Sequence, residues 1–439
     1  MAIATTTTQK QRVEPVSFPN QRIGGTNQQD MEHTRELAGS HILCEALVRE
    51  GVELLYGYPG GAIMPFYDAL TSYPTLRHIL VRHEQAAAHA ADGYARATGK
   101  VGVCVATSGP GATNLVTGLA TAYMDSTPIV AITGQVARPF IGRDAFQETD
   151  VIGVTQPITK HNFLVRNIED LADTVHEAFR LALSGRPGPV LIDVPKDIQL
   201  NKTLYRPAAS VNSVEYFRTM RTPELSPTAI AQAAKLITEA QRPLIMSGHG
   251  VILSKAYAEL LAFAEKADIP VITTLLGLSA LPETHPLALG MPGMHGPAHV
   301  NQAIGIADLI IGVGLRFDDR VTGKVSEFAP HAQIVHIDID PSEIHKVKVA
   351  AFWTNSASPG RPHAPSAMLQ TAPCAPYFLG CGCAAAWRPA ATNDRTSSTY
   401  RNTSLARTRS PATSCSSIPV CNRSGKPRPG VPSAPTTQN

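Results

Sequence analysis

From residue 35 to about 350, short apolar runs rich in Val and Ile alternate with helical segments, and several of the runs stop at glycine. A strand that is apolar at every position is covered on both faces, and an intervening helix carries the chain back so that successive strands lie parallel. The runs VELLYGY (52–58), VGVCVATSG (101–109), TPIVAITGQ (127–135) and GPVLIDVP (188–195) read as such strands. Helices are predicted over 37–51, with Ser40 as N-cap and Gly51 as its stop, and over 83–99, 111–125 and 170–185. After a linker at 200–222 the pattern repeats, with strands in 243–251, 269–276, 307–318 and 332–340 and helices over 255–267 and 300–307. The expected class is α/β, with two parallel-sheet domains at 35–200 and 223–350. Ligands of such sheets sit at the turns that leave the strand C-termini.

Near 350 the pattern stops. Residues 351–439 hold twelve Pro, nine Lys or Arg and one acid, Asp394, with five of the seven Cys and both Trp. Their formal charge is +8, against −5 for the rest of the chain. Such a segment lacks the periodic apolar surface that offsets ordering entropy. It is expected to be a disordered Arg/Pro/Ser-rich tail, either natural or the product of an altered reading frame, and to leave the second unit short of its last strand. Residues 1–34 are polar and read as a flexible leader, without the apolar stretch of a secretion signal. No run of about 18 apolar residues occurs, so no membrane span is expected, and the cytoplasm is the expected location. No nucleic-acid partner is expected. Cys381 and Cys383 lack a second pair, which argues against a zinc site.

The residues able to do chemistry are few. Glu84, in Arg82-His83-Glu84-Gln85, reads on its own as a first-turn acid favoured by the helix dipole. His83 and His89 beside it read as structural. Gly60 and Gly61 follow the first strand, where a tight turn or a close approach calls for glycine. Taken singly, Lys160 and Lys196 read as surface charges. Yet these residues lie in an ordered series: YPGGAIMPFYDAL (58–70), RHEQAAAHAADGYARATGK (82–100), ATSGPGATNLVTGLA (106–120), DSTPIVAITGQV (125–136), DAFQETD (144–150), ITKHNF (158–163), SGRPGPVLIDVPKD (184–197), GLRFDDRVTGK (314–324) and IVHIDID (334–340). Over 35–350 this series resembles the acetolactate synthase (acetohydroxyacid synthase) large-subunit family of thiamine-diphosphate enzymes.

The resemblance implies that 35–200 is a pyrimidine-binding domain and 223–350 an FAD-binding domain. It implies that Glu84 bonds the pyrimidine N1′ of thiamine diphosphate, favouring the imino tautomer that acts as a base toward the thiazolium C2 hydrogen. The cofactor performs the carbanion chemistry while the protein orients and polarises it. Gly60 and Gly61 would lie beside the reacting carbon, with Gly61 counted among the catalytic positions. Phe146, Gln147 and Lys196 would line the substrate channel, a cation there helping to draw in the pyruvate anion. Lys160, Ser126 and Arg186 would contact the flavin. So would Gly248, Gly250, Met294, His295, Gly296, Gly314, Arg316, Phe317, Asp318 and Asp338, with phosphates on backbone N–H groups and Arg316, and a ribose hydroxyl on Asp338.

The implied reaction condenses two pyruvates to 2-acetolactate with loss of CO₂, or pyruvate with 2-oxobutanoate, in branched-chain amino-acid biosynthesis. The implied assembly is a homodimer or higher oligomer, with a small regulatory subunit as a further partner. The family's third domain carries a Gly-Asp-Gly segment and later Asn residues that hold Mg²⁺ on the diphosphate. Neither occurs after 351, where Asn393-Asp394 stands in a polar context, so no metal ligand is expected in this chain and activity is expected to be impaired. Rival readings are a pyruvate oxidase or 2-oxoacid decarboxylase relative, an inactive FAD-binding fragment, and an NAD-linked dehydrogenase, the last opposed by the lack of a GxGxxG fingerprint.

Overall fold

A computed structural model describes residues 35–208 and 227–355. They form an α/β structure built on two six-stranded sheets whose neighbouring strands are all parallel. The leader 1–34 and most of the predicted tail lie outside the described residues.

The chain opens with a short strand, β1 (Glu36–Ala38), and a helix, α1 (Gly39–Arg49). The first large sheet holds β2 (Leu54–Gly57), β3 (Arg77–Leu80), β4 (Gly102–Ala106), β5 (Ile129–Gln135), β6 (His161–Leu164) and β7 (Val190–Pro195), in the order β3-β2-β4-β5-β7-β6. Every residue of β4, β5 and β7 is buried, the few polar ones (Thr133, Gln135 and Asp193) included, as their mostly apolar runs lead one to expect. Helix α1 and two others, α2 (Met64–Leu70) and α7 (Leu171–Leu183), cover one face through Leu43, Leu47, Phe66, Val175 and Phe179. At about 2 kcal/mol for each large apolar side chain removed from water, this face contributes much of the folding energy.

The other face is covered by α3 (Glu84–Thr98), α4 (Pro110–Thr113), α5 (Val116–Asp125) and α6 (Val151–Thr155). Helix α3 is Ala-rich because it packs almost backbone to backbone. A Cβ on Gly102 of β4 would stand 2.1 Å from the Ala91 carbonyl oxygen, and one on Gly118 of α5 would stand 2.4 Å from the Ala88 Cβ. His83 caps α3, its Nδ1 accepting from the Gln85 N–H, and Gly99 ends it at φ 70°. A last short helix, α8 (Lys196–Leu200), leads to β8 (Lys202–Leu204), which pairs antiparallel with β1.

The second large sheet contains β9 (Pro243–Ser247), β10 (Val271–Thr273), β11 (Ala288–Gly290), β12 (Leu309–Val313), β13 (Gln333–Asp338) and β14 (Phe352–Asn355), in the order β11-β10-β9-β12-β13-β14. The main reversal of order lies between β2 and β4 in the first sheet, whose edge pair β7-β6 is also inverted, and between β9 and β12 in the second. A crevice opens outside the strand ends at such a reversal.

Four readings of the sequence are corrected. Ser40 is not the cap of α1. The helix begins at Gly39 after Ala38, with no side-chain cap, and the Gly39 N–H donates to the Asn201 carbonyl at 3.0 Å. The chain enters too close to α8 for a polar cap, since a Cβ on Gly39 would stand 2.1 Å from the Ile198 carbonyl oxygen. The helix predicted over 111–125 is two, α4 and α5, because at the junction the Leu115 N–H bonds to the Ala112 carbonyl, a tighter i→i−3 turn than the helical one. Only 271–273 of the strand predicted in 269–276 pairs, followed by a 3₁₀ turn at Leu275–Gly277. The strand pattern does not stop at 350: Phe352–Asn355 pairs with Val335–Asp338 at the edge of the second sheet, and Phe352 enters the core. Gly51 does sit just beyond the end of α1, at φ 73°.

Candidate functional site: two crevices

Glu84 stands at the first sheet's reversal point. It opens α3 and is only 8% exposed. Its Oε2 accepts from the Asn114 amide at 2.9 Å, while Gly111 lies so close to Oε1 that a Cβ there would be 3.2 Å away. The same Cβ would stand 2.7 Å from the Thr107 Cγ2. Thr107 follows β4 and closes the crevice from that side, its Oγ1 accepting from the Ala62 N–H at 3.2 Å. Neither Thr107 nor Asn114 was singled out from the sequence, although both lie in the quoted segment ATSGPGATNLVTGLA.

The two turn glycines have different reasons. At Gly60 a Cβ would meet the Thr107 side chain at 2.5–2.8 Å, so close packing excludes any other residue. Gly61 is exposed, and its Cβ direction is open to 4 Å. Packing therefore demands glycine at 60 and leaves 61 open toward solvent.

Gln147 and Phe146 belong to the loop that joins β5 to α6. Gln147 adopts φ 58° and lies against Gly109, where a Cβ would be 2.5 Å from the Gln147 carbonyl oxygen. Phe146 is 88% exposed. The loop is held at both ends. Arg138 pairs with Asp197 at 2.7 Å, beside Lys196 at the first position of α8. Gln135 donates to the Thr149 carbonyl at 3.1 Å and to Asp193 Oδ2 at 2.9 Å. Asp193 also accepts from Thr133 at 2.7 Å, and burial pushes its carboxyl up to about 7.

Lys160 is committed elsewhere. Its ammonium donates to the carbonyls of Leu181 and Ser184 and to the Ser184 hydroxyl, closing the C-terminus of α7. Burial, with Arg180 nearby, pushes it down to about 8.

The second crevice is a cavity of about 580 Å³, within the range of small-molecule sites. At the reversal between β9 and β12 two glycine turns cross. A Cβ on Gly248 would stand 2.3 Å from the Gly314 carbonyl oxygen, and one on Gly250 2.6 Å from the Gly314 Cα. The N–H groups of Gly248, Gly250 and Gly314 are all used within the fold, on Val313, Gly314 and Ile337 carbonyls. These three donors are therefore engaged within the fold. Arg316 lines the cavity, and its ion pair is a loose one to Asp318 at 3.9 Å.

Ser126, Arg186, Gly250, Met294, His295, Gly314, Arg316, Asp318 and Asp338 meet around this space. Ser126 and Arg186 reach it from the first sheet's side. Asp338 ends β13; burial and the carboxylates of Asp340 and Glu343 raise it to about 6. Gly248, Gly296 and Phe317 do not line it. Gly296 packs on Met291, and Phe317, 3% exposed, lies edge-on to His336 and Phe328 in the core. His249, Asp340 and Glu343 were not found from the sequence, because nothing in their local pattern sets them apart. Among the described residues no group of three or more His, Cys, Asp or Glu could hold a metal ion, and no helix is long and apolar enough to cross a membrane.

Comparison with known proteins agrees with this arrangement. Residues 37–154 match the thiamine pyrophosphate enzyme N-terminal TPP binding domain, and 230–355 match the thiamine pyrophosphate enzyme central domain. A probable acetolactate synthase large subunit of Methanocaldococcus jannaschii is 55% identical over 314 residues, 71% of this chain and 52% of that protein. The acetolactate synthase large subunit of Parasynechococcus marenigrum is 54% identical over 331 residues (75% and 53%), and that of Corynebacterium glutamicum 52% over 312 (71% and 49%). The chain spans about half the length of these curated relatives. Over 37–355 the chain thus belongs to the thiamine pyrophosphate enzymes, carrying the N-terminal and central domains of that enzyme family.

Proposed function

We propose that this chain supplies the pyrimidine-binding and flavin-binding parts of an acetolactate synthase, which joins two pyruvates, or pyruvate and 2-oxobutanoate, with loss of CO₂. The observation that carries the reading is the buried Glu84 carboxylate, held on one oxygen by Asn114 and facing Gly111 with the other, at the reversal point of a parallel sheet. Thiamine diphosphate, when bound, supplies the electron sink for decarboxylating a 2-oxoacid. Glu84 holds or takes up a proton at Oε1, Asn114 fixes the carboxylate's orientation, and Gly61 leaves room above it. The loop carrying Phe146 and Gln147, with Lys196 beside its base, borders the approach of the 2-oxoacid anion.

We assign FAD to the second cavity, a reading supported by Ser126, Arg186, Arg316 and Asp338 in its walls. We assign the reaction to branched-chain amino-acid biosynthesis in the cytoplasm and the assembly to a homodimer or larger. The relatives are large subunits by name, which supports a small regulatory subunit as a further partner. The Mg²⁺–diphosphate contacts are assigned to a part of the enzyme other than 37–355. The chain alone is therefore expected to bind FAD without forming acetolactate. Incubating it with FAD, thiamine diphosphate, Mg²⁺ and pyruvate tests this. Turnover would mean that 356–439 completes the diphosphate site, and absence of bound flavin would remove the flavin assignment.

A further inference from the structure

Arg186 has no free edge. Its Nε donates to the Ser126 hydroxyl at 2.8 Å, one terminal nitrogen donates to Asp340 at 3.0 Å and to Glu343 at 2.9 Å, and the other reaches the Met124 carbonyl at 3.4 Å. Arg186 follows α7 and Ser126 ends α5, so both come from the first sheet's layer. The two carboxylates come from the turn after β13 of the second sheet. One guanidinium thus ties the two walls of the cavity together. A planar fork bonded on several edges fixes orientation as well as distance.

Glu343 is the better-buried of the two acids, with a side chain 6% exposed, and it borders the cavity. Its Oε1 is shared with Lys346 at 3.0 Å, whose own side chain is 56% exposed. An ion pair largely withdrawn from water depends on both partners, although Asp340 on Arg186 and Lys346 on Glu343 each offset part of the loss when one is removed.

We propose that Glu343 is a positioning residue for the ligand of this cavity: acting through Arg186, it holds Ser126 and the first sheet's wall against the second sheet at ligand-binding separation. The role rests on the flavin reading of the cavity. It predicts that Glu343 affects binding only while Arg186 is present.

The test is FAD titration, followed by flavin fluorescence anisotropy, on the full chain and on Glu343→Gln, Arg186→Met, the double variant, and Lys346→Met, each checked by the melting temperature of the free protein. Glu343→Gln is expected to weaken FAD about tenfold, within the range of coupling between contacting residues. The double variant is expected to be no weaker than Arg186→Met alone, and Lys346→Met to bind as the parent does. Unchanged affinity in Glu343→Gln, or losses that multiply in the double variant, would overturn the role. A group that serves only stability would lower the melting temperature and leave the affinity of the folded fraction unchanged, which also overturns it. Should Glu343→Gln not fold, Asp340→Asn takes its place, with the same non-additivity expected against Arg186→Met. If the parent chain binds no FAD, the flavin reading fails and the positioning role goes with it.

Discussion

Two carboxylates of the first sheet show how position decides what a residue can do. Asp193 lies mid-sheet, accepting from Thr133 and Gln135, with Asp150 the nearest acid acting on it. Burial raises its pKa from 3.8 to about 7, so the folded protein binds a proton that the unfolded chain releases. The stability this contributes is complete below about 4 and is lost as pH rises through about 7, at up to roughly 1.4 kcal/mol per pH unit. In Asp193→Asn the Asn amide can donate to Thr133 while its carbonyl accepts from Gln135. Urea unfolding at pH 5, 6, 7 and 8 should show parent stability falling relative to the variant across that window; parallel curves would mean that Asp193 is ionised throughout. Glu84 sits instead at a crevice, and its constraint is steric. Gly111→Ala would press a methyl 2.7 Å from the Thr107 Cγ2 and 3.2 Å from Glu84 Oε1, at a cost of about 1–3 kcal/mol in a denaturation midpoint. Glu84 was legible because its family segment is contiguous. Asn114, thirty residues on, was not, because the fold alone brings it there.

Elements buried on both faces were legible, and edge elements were not. Strands β4, β5 and β7 are mostly apolar and buried throughout, and α3 and α7 carry clear helical stripes, so period and composition agree. Strands β1, β3, β6, β8 and β11 have three or four residues each and partly exposed faces. Their pairing is decided by neighbours distant in sequence, and nothing local marks them. Strand β14 was hidden by the basic, Pro-rich composition that begins a few residues later. The loop between β5 and α6 looked like plain connection, yet it is fixed at one end by Arg138 on Asp197 and at the other by Gln135 on Thr149. Gln135→Ala removes the second anchor and leaves the buried Asp193 with one donor. Trypsin cleavage after Arg143 should then accelerate about tenfold, since loss of about 1.4 kcal/mol of local order raises the open population by that factor. Equal cleavage rates in the two proteins would show that the loop is held without it, by Arg138 and by Glu148, whose carboxylate accepts from the Gly142 and Ala145 N–H groups.

At the scale of the whole molecule, both sheets repeat one device: a reversal of strand order with glycines at the strand ends. The glycines and Arg186 were visible in the sequence, but the use of the glycine N–H groups was not, and neither was the bridge that Arg186 makes from one layer to the other. Each sheet has its own apolar core, so the free chain should unfold in two calorimetric steps. A ligand bound between the layers must be lost when either one unfolds, and it therefore stabilises both. At a free concentration one hundred times its Kd, FAD should add about 2.7 kcal/mol and draw the two steps into one. If FAD moves only the step belonging to the second sheet, the ligand touches that layer alone, and the contribution of Ser126 and Arg186 to the cavity is confined to its shape.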